Sequence, residues 1–203
     1  LPRIAAPVLP GAATAVARAR FHALPRHPPA EPSILGVSGG AAFGVVLGQV
    51  SGLGQGIVEA LGLTALGFAG ALVAGVAVYL IASTAGGLPV HTLLLAGVIV
   101  GIFFSAAITV LISIVDTNRL GGVIHWLLGS VAPIPPGSLG VFALATAAGL
   151  WLVLGQARAL NLLALGDEGA LELGVDALRV KRRVFAGAAL LTGTVVAFVG
   201  PIG

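Results

Sequence analysis

The sequence predicts an all-α protein, a polytopic bundle of transmembrane helices. Hydrophobic residues make up 58% of the 203 and charged residues only 8%, with a mean hydropathy of +1.11, values that a water-exposed domain could not keep in solution. The apolar residues fall in long runs, and a bilayer core needs about 20 of them per helix. The charges lie between those runs or at their ends. Four of the seven acids and four of the ten Lys and Arg residues sit in one interval, residues 160–183.

Six candidate spans follow in order. The first covers roughly 4–24 and carries Arg18, Arg20 and His22 near its end. Charges at that depth are costly unless they reach the interface, and both arginines are within a turn or two of it, so snorkelling accounts for them. The second span, 34–52, is thick with small residues that permit close helix contact. The third, 62–83, carries Gly67, Gly70 and Gly75 to the same effect. The fourth runs over 92–115, the fifth over 139–157, and the sixth starts near Val184. Between the fourth and fifth, the piece GGVIHWLLGSV is bounded by Gly121-Gly122 and by Pro133, Pro135 and Pro136. It is too short to span and suits a re-entrant or interfacial helix.

Residues 160–183 read as two short helices forming a polar elbow. Gly166 precedes Asp167 and Glu168, acids that suit the positive end of a helix dipole. Gly174 stops that helix, and Asp176 caps a second one leading into Arg179, Lys181, Arg182 and Arg183. Leu171 and Leu173 leave apolar bumps on this charged surface, as a docking face would.

The basic balance, with a formal charge of +3, reflects orientation in the bilayer rather than nucleic-acid binding, because the cations sit at span ends. Placing the Arg-rich elbow in the cytoplasm puts loops 25–33 and 84–91 on the same side and loops 53–61 and 116–138 outside. The absence of cysteine excludes disulfides and thiolate chemistry. The absence of methionine, even at position 1, predicts a processed product or a piece of a longer protein. No phosphate-binding loop is present and Lys181 is the only lysine, so any ATP that drives this chain binds elsewhere.

Few residues could carry chemistry. Gly36-Val37-Ser38-Gly39 matches the surroundings of an intramembrane serine nucleophile, but neither His91 nor His125 is placed as its base, and packing glycines beside a self-bonded hydroxyl explain it. Val90, His91 and Thr92 open the fourth span after Gly86-Gly87 and Pro89, where they form either a constriction or an ordinary helix start with a Thr cap. Arg119, His125 and Trp126 line the outward segment as candidate substrate contacts, with Trp126 equally explained as an interfacial aromatic. An ion-coupled transporter or channel would need acids or cations within the spans; apart from Arg18 and Arg20 none is seen there.

Seven stretches taken together resemble the permease subunits of ABC importers for iron-siderophores, haem and vitamin B12. They are Leu1-Pro2-Arg3, Ala30 to Ala41 (AEPSILGVSGGA), Leu93 to Val98 (LLLAGV), Trp126 to Ser130 (WLLGS), Leu163 to Glu168 (LALGDE), Leu173-Gly174-Val175 and Gly200 to Gly203 (GPIG). The resemblance implies a single permease domain over 1–203, with six or seven spans of about ten, the first and the last three being absent. It implies that Leu165, Gly166, Asp167, Glu168, Ala170, Leu173, Gly174 and Val175 form coupling helices docked on a cytoplasmic ATPase dimer, which would bind ATP and magnesium. This subunit itself would be non-catalytic and hold no cofactor or metal. The fourth span would line the path, with Val90, His91 and Thr92 near the gate. A second permease copy, a periplasmic substrate-binding protein and the lipid of a bacterial inner membrane complete the expected partners. The cargo would be a metal chelate; for haem, His125 and Arg119 would be the iron and propionate contacts. The chain departs from the family where Arg18, Arg20, His22 and His27-Pro28-Pro29-Ala30 replace small residues, a Gln and Asn-Pro-Leu-Ala.

Overall fold

A computed structural model describes residues 36–52, 59–84, 88–129, 136–163 and 166–201. The expected first span, with Arg18, Arg20 and His22, and the elbow residue Leu165 lie outside the described residues. Among the described residues the chain forms eight helices and no strand. They are α1 (Val37–Ser51), α2 (Glu59–Ser83), α3 (Val90–Ile114), α4 (Thr117–Leu127), α5 (Pro136–Leu154), α6 (Ala157–Leu163), α7 (Asp167–Glu172) and α8 (Ala177–Val199).

Helices α2, α3 and α8 are long and apolar enough to cross a membrane, and α5 with α6, bent by 44°, supplies a fourth crossing if counted together. Helix α1 does not match its expected length. Gly36 and Gly52, both left-handed with φ of 70° and 74°, bound it to 15 residues. At 1.5 Å per residue that is about 22 Å, short of a hydrocarbon core of about 30 Å.

What α1 lacks in length it makes up in closeness of contact. Gly36, Gly40, Gly44 and Gly48 recur every fourth residue and so share one face of the helix. A Cβ at Gly40 would run into the Gly70 carbonyl and the Ala74 side chain, and one at Gly44 into the Leu66 carbonyl. At Gly36 it would meet the Gly97 carbonyl of α3 at 2.6 Å. Helix backbones therefore touch directly, which is how spans associate where lipid removes the hydrophobic incentive to do so.

Helix α8 packs on α1, α2 and α5, and 61% of its apolar window is buried, the most of the three long spans. Leu191 and Gly187 meet Gly149 and Val153 of α5, and Phe198 stands edge-on to Phe142 with ring centroids 4.9 Å apart. Helix α3 is peripheral. It buries Leu93, Ala96, Val100 and Phe104 along one stripe and exposes Leu95, Ile99, Ile102 and Phe103. Exposed apolar residues of that size are the outer surface of a chain that lies in lipid or against further helices.

The bundle has two distinct ends. At one, Tyr79 near the end of α2 lies under the Arg182 guanidinium at 5.9 Å, and Leu88, just before α3, is buried with Ala82 and Phe185. At the other, Arg119 of α4 reaches the end of α1, and the turn at Gly129 touches Gly200 after α8.

Two further boundaries differ from expectation. Helix α4 begins at Thr117 and runs straight through Gly121-Gly122, which were expected to bound it. A Cβ at either glycine would meet nothing within 4 Å, so these glycines neither break the helix nor serve a contact. The expected second elbow helix and the sixth span are one continuous helix, α8, starting at Ala177 rather than near Val184. Arg and Lys are good helix formers, so the basic run extends the span instead of ending it.

Candidate functional site

The elbow is built from α6, α7 and the first two turns of α8. Leu154 ends α5, the chain bends at Gly155-Gln156, and α6 turns Leu160 and Leu163 inward, where both are buried. Helix α7 is a single short helix with Asp167 and Glu168 in its first turn, as the sequence suggested, preceded by Gly166 at φ 108°. Its end is a Schellman motif: the Gly174 N–H donates to the Leu171 carbonyl and the Val175 N–H to the Ala170 carbonyl, both at 2.9 Å. The motif requires a left-handed residue, and Gly174 supplies it with φ 78°. Asp176 then caps α8, its Oδ1 accepting from the Arg179 N–H at 3.0 Å and its Oδ2 from the Arg179 Nε at 2.8 Å. The backbone donor of Arg179 holds the Asp176 carboxyl below its ordinary value; the neighbouring Arg179 and Arg182 charges add to this and desolvation opposes it.

These local rules produce a two-faced helix. Ala170, fully buried, seats α7 against Leu160, Leu163, Val180 and Val184, with Val175 packed beside them. Behind it, the Lys181 ammonium donates to Asp167 Oδ2 at 2.6 Å. Lys181 is only 7% exposed, so it needs this counter-charge; Asp167 is 61% exposed and stays partly solvated. Away from this seat Glu168, Leu171, Glu172 and Leu173 are exposed, Leu171 to 69% and Leu173 to 57%. Of the residues expected to couple to a partner, Gly166, Asp167, Glu168, Leu173 and Gly174 are exposed. Ala170 and Val175 are the inward anchor of the same element rather than its surface.

Val90, His91 and Thr92 form the first turn of α3 at the elbow end, with His91 exposed and the other two half-buried. Pro89 occupies the cap position, the Leu93 N–H donates to its carbonyl at 3.1 Å, and no side chain caps the helix, so Thr92 is not the cap. Leu88 carries no signal in the sequence. It is buried at φ 51°, a left-handed conformation that costs a residue with a Cβ about 1–2 kcal/mol. Proline at 89 disfavours the right-handed alternative for the residue before it, and the core holds the Leu88 side chain in place.

At the far end, the Arg119 Nη1 donates to the carbonyls of Val50 at 2.9 Å and Gln49 at 3.4 Å, capping the end of α1. His125 is exposed, and Trp126 is half-buried against the core. Six residues apart on a helix, Arg119 and His125 are separated by about 240° of rotation.

An all-helical bundle with lipid-exposed spans and one anchored polar elbow is the build of a membrane permease subunit. Consistent with this, the model of the FecCD transport family matches residues 1–203, and the chain belongs to that family. It is 36% identical over its whole length to the cobalamin import system permease protein BtuC of Halobacterium salinarum, covering 54% of that protein. It is 35% identical to the ABC transporter permease protein YvrB of Bacillus subtilis, covering 58%, and 35% identical to the vitamin B12 import system permease protein BtuC of Escherichia coli, covering 61%. A solved structure, described as an inward-facing conformation of a proposed metal-chelate type ABC transporter, superposes with a TM-score of 0.89 at 29% identity. That superposition covers all of this chain and 63% of the other. The chain thus spans little more than half the length of the curated relatives it matches.

Proposed function

We propose that this chain is the membrane-spanning part of an ATP-driven importer that carries a metal chelate across a bacterial inner membrane by alternating access. ATP and magnesium are held by a separate pair of ATPase subunits, and the elbow is the surface on which they dock. A second permease copy completes the pathway, and a substrate-binding protein delivers cargo at the α4 end. The observation that carries this reading is the build of α7, which exposes two leucines and two acids while Ala170 and Lys181 fix it to α8. Exposed leucines among charges mark a partner surface rather than a lipid-facing one. The cargo class rests on the cobalamin, vitamin B12 and metal-chelate systems named among the relatives.

The test is to introduce Leu173→Asp with Glu168→Lys into the full-length permease, co-expressed with its ATPase. Copurification of the ATPase and ATP-dependent uptake should both be lost while membrane insertion is retained. Uptake at the parental rate would overturn the docking reading.

A further inference from the structure

We propose that the Lys181–Asp167 ion pair is a strut that transmits movement of α7 into α8, so that both residues are positioning residues for coupling. The inference rests on the docking reading of the elbow. Helix α7 has six residues, about 9 Å of helix, too few to persist unless packing holds it. Its covalent connections are poor levers, because Gly166 and Gly174 flank it at φ 108° and 78°, and backbone at glycine yields readily. A force on exposed Leu171 or Leu173 would rock the helix on these two joints.

Beyond the hydrogen bonds and Val175 packing that close its C-terminal turn, two side-chain contacts of the helix itself oppose such rocking: the methyl of Ala170 in its apolar seat, and the ion pair. The first resists compression but offers little against sliding. The second fixes a distance and a direction, and it ends on the second turn of the most deeply packed span. Stability alone does not account for it, since well-packed apolar residues hold such positions as well as or better than a buried charge pair. Asp167 is the one acceptor of Lys181 among the described residues.

The experiment uses the full-length permease assembled with its ATPase and reconstituted in vesicles, reading substrate moved per ATP hydrolysed. Lys181→Met keeps the stem and removes the tie. Lys181→Glu sets two carboxylates face to face, and adding Asp167→Lys restores attraction with reversed polarity. The strut predicts that Lys181→Met and Lys181→Glu keep the ATPase bound yet lower substrate per ATP by about fivefold or more, the low end of ordinary coupling between sites. The reversed pair should recover most of that loss. Parental transport per ATP in both single variants overturns the strut and leaves docking intact. Loss of ATPase binding in Lys181→Met also overturns it, because the pair would then only shape the docking face. If Leu173→Asp leaves ATPase binding unchanged, the docking reading fails and the strut with it.

Discussion

Helices α3 and α8 are of similar length and lie in the same bundle, but their sequences and their environments run in opposite senses. Helix α3 contains no charged residue and is the more apolar of the two, yet only 28% of its apolar window is buried. Helix α8 opens with Arg179, Lys181, Arg182 and Arg183, and 61% of its window is buried. In water the more apolar helix would be the inner one. Here the outer helix must satisfy lipid, while the inner one needs small residues and shape, as its Gly187 and Gly193 contacts show. Apolar content marks what can enter the membrane, and packing detail decides what lies at the centre.

The sharpest way to break this comparison is to spoil backbone contact. Gly44→Leu would drive a side chain into the Leu66 carbonyl and should cost about 3 kcal/mol or more, seen as loss of folded protein from the membrane fraction. Next comes truncation on each helix. Leu191→Ala on α8 should cost about 2–4 kcal/mol, whereas Ile102→Ala on α3 should stay within about 0.5 kcal/mol, both read from thermal unfolding in detergent. Equal effects would erase the distinction, or show that something outside the described residues covers α3. A smaller loss, about 1 kcal/mol, is expected for Arg119→Ala, which uncaps α1; protease accessibility at the Gly52 turn is the readout.

The smallest effect is in acid. The Asp176 carboxyl titrates below its ordinary 3.8 in the folded chain, so its stabilising contribution is complete above that value and fades as pH falls through the lower folded one. Asp176→Asn keeps a cap acceptor without a charge. It should remove this acid-dependent part of the unfolding profile and leave the neutral region flat.

Much of the architecture was legible. Long apolar runs located α2, α3, α5 and α8, and the glycine and acid signals around 166–176 located α7 and its cap. The four-residue spacing of Gly36, Gly40, Gly44 and Gly48 is equally present in the letters, although small residues alone do not say which helix they will face. Gly121-Gly122 misled because a glycine pair looks like a break, though nothing around it forces one. The basic run misled because its charges resemble the end of a polar elbow rather than the start of a span, although Lys and Arg propagate a helix well. The site was legible only as a region. That Lys181 would meet Asp167, fourteen residues earlier, depends on α7 folding back onto α8, and no local pattern states that.

Helix α8 is also engaged at its far end, where Gly200 lies so close to the Gly129 and Trp126 backbone that a Cβ there would be 3.0 Å from both. At 23 residues it is about 35 Å long, enough to cross the whole hydrocarbon layer. One stiff element therefore joins the two ends of the bundle, like a tie-rod between opposite walls, with its charged foot in the elbow and its other end against the turn that closes α4.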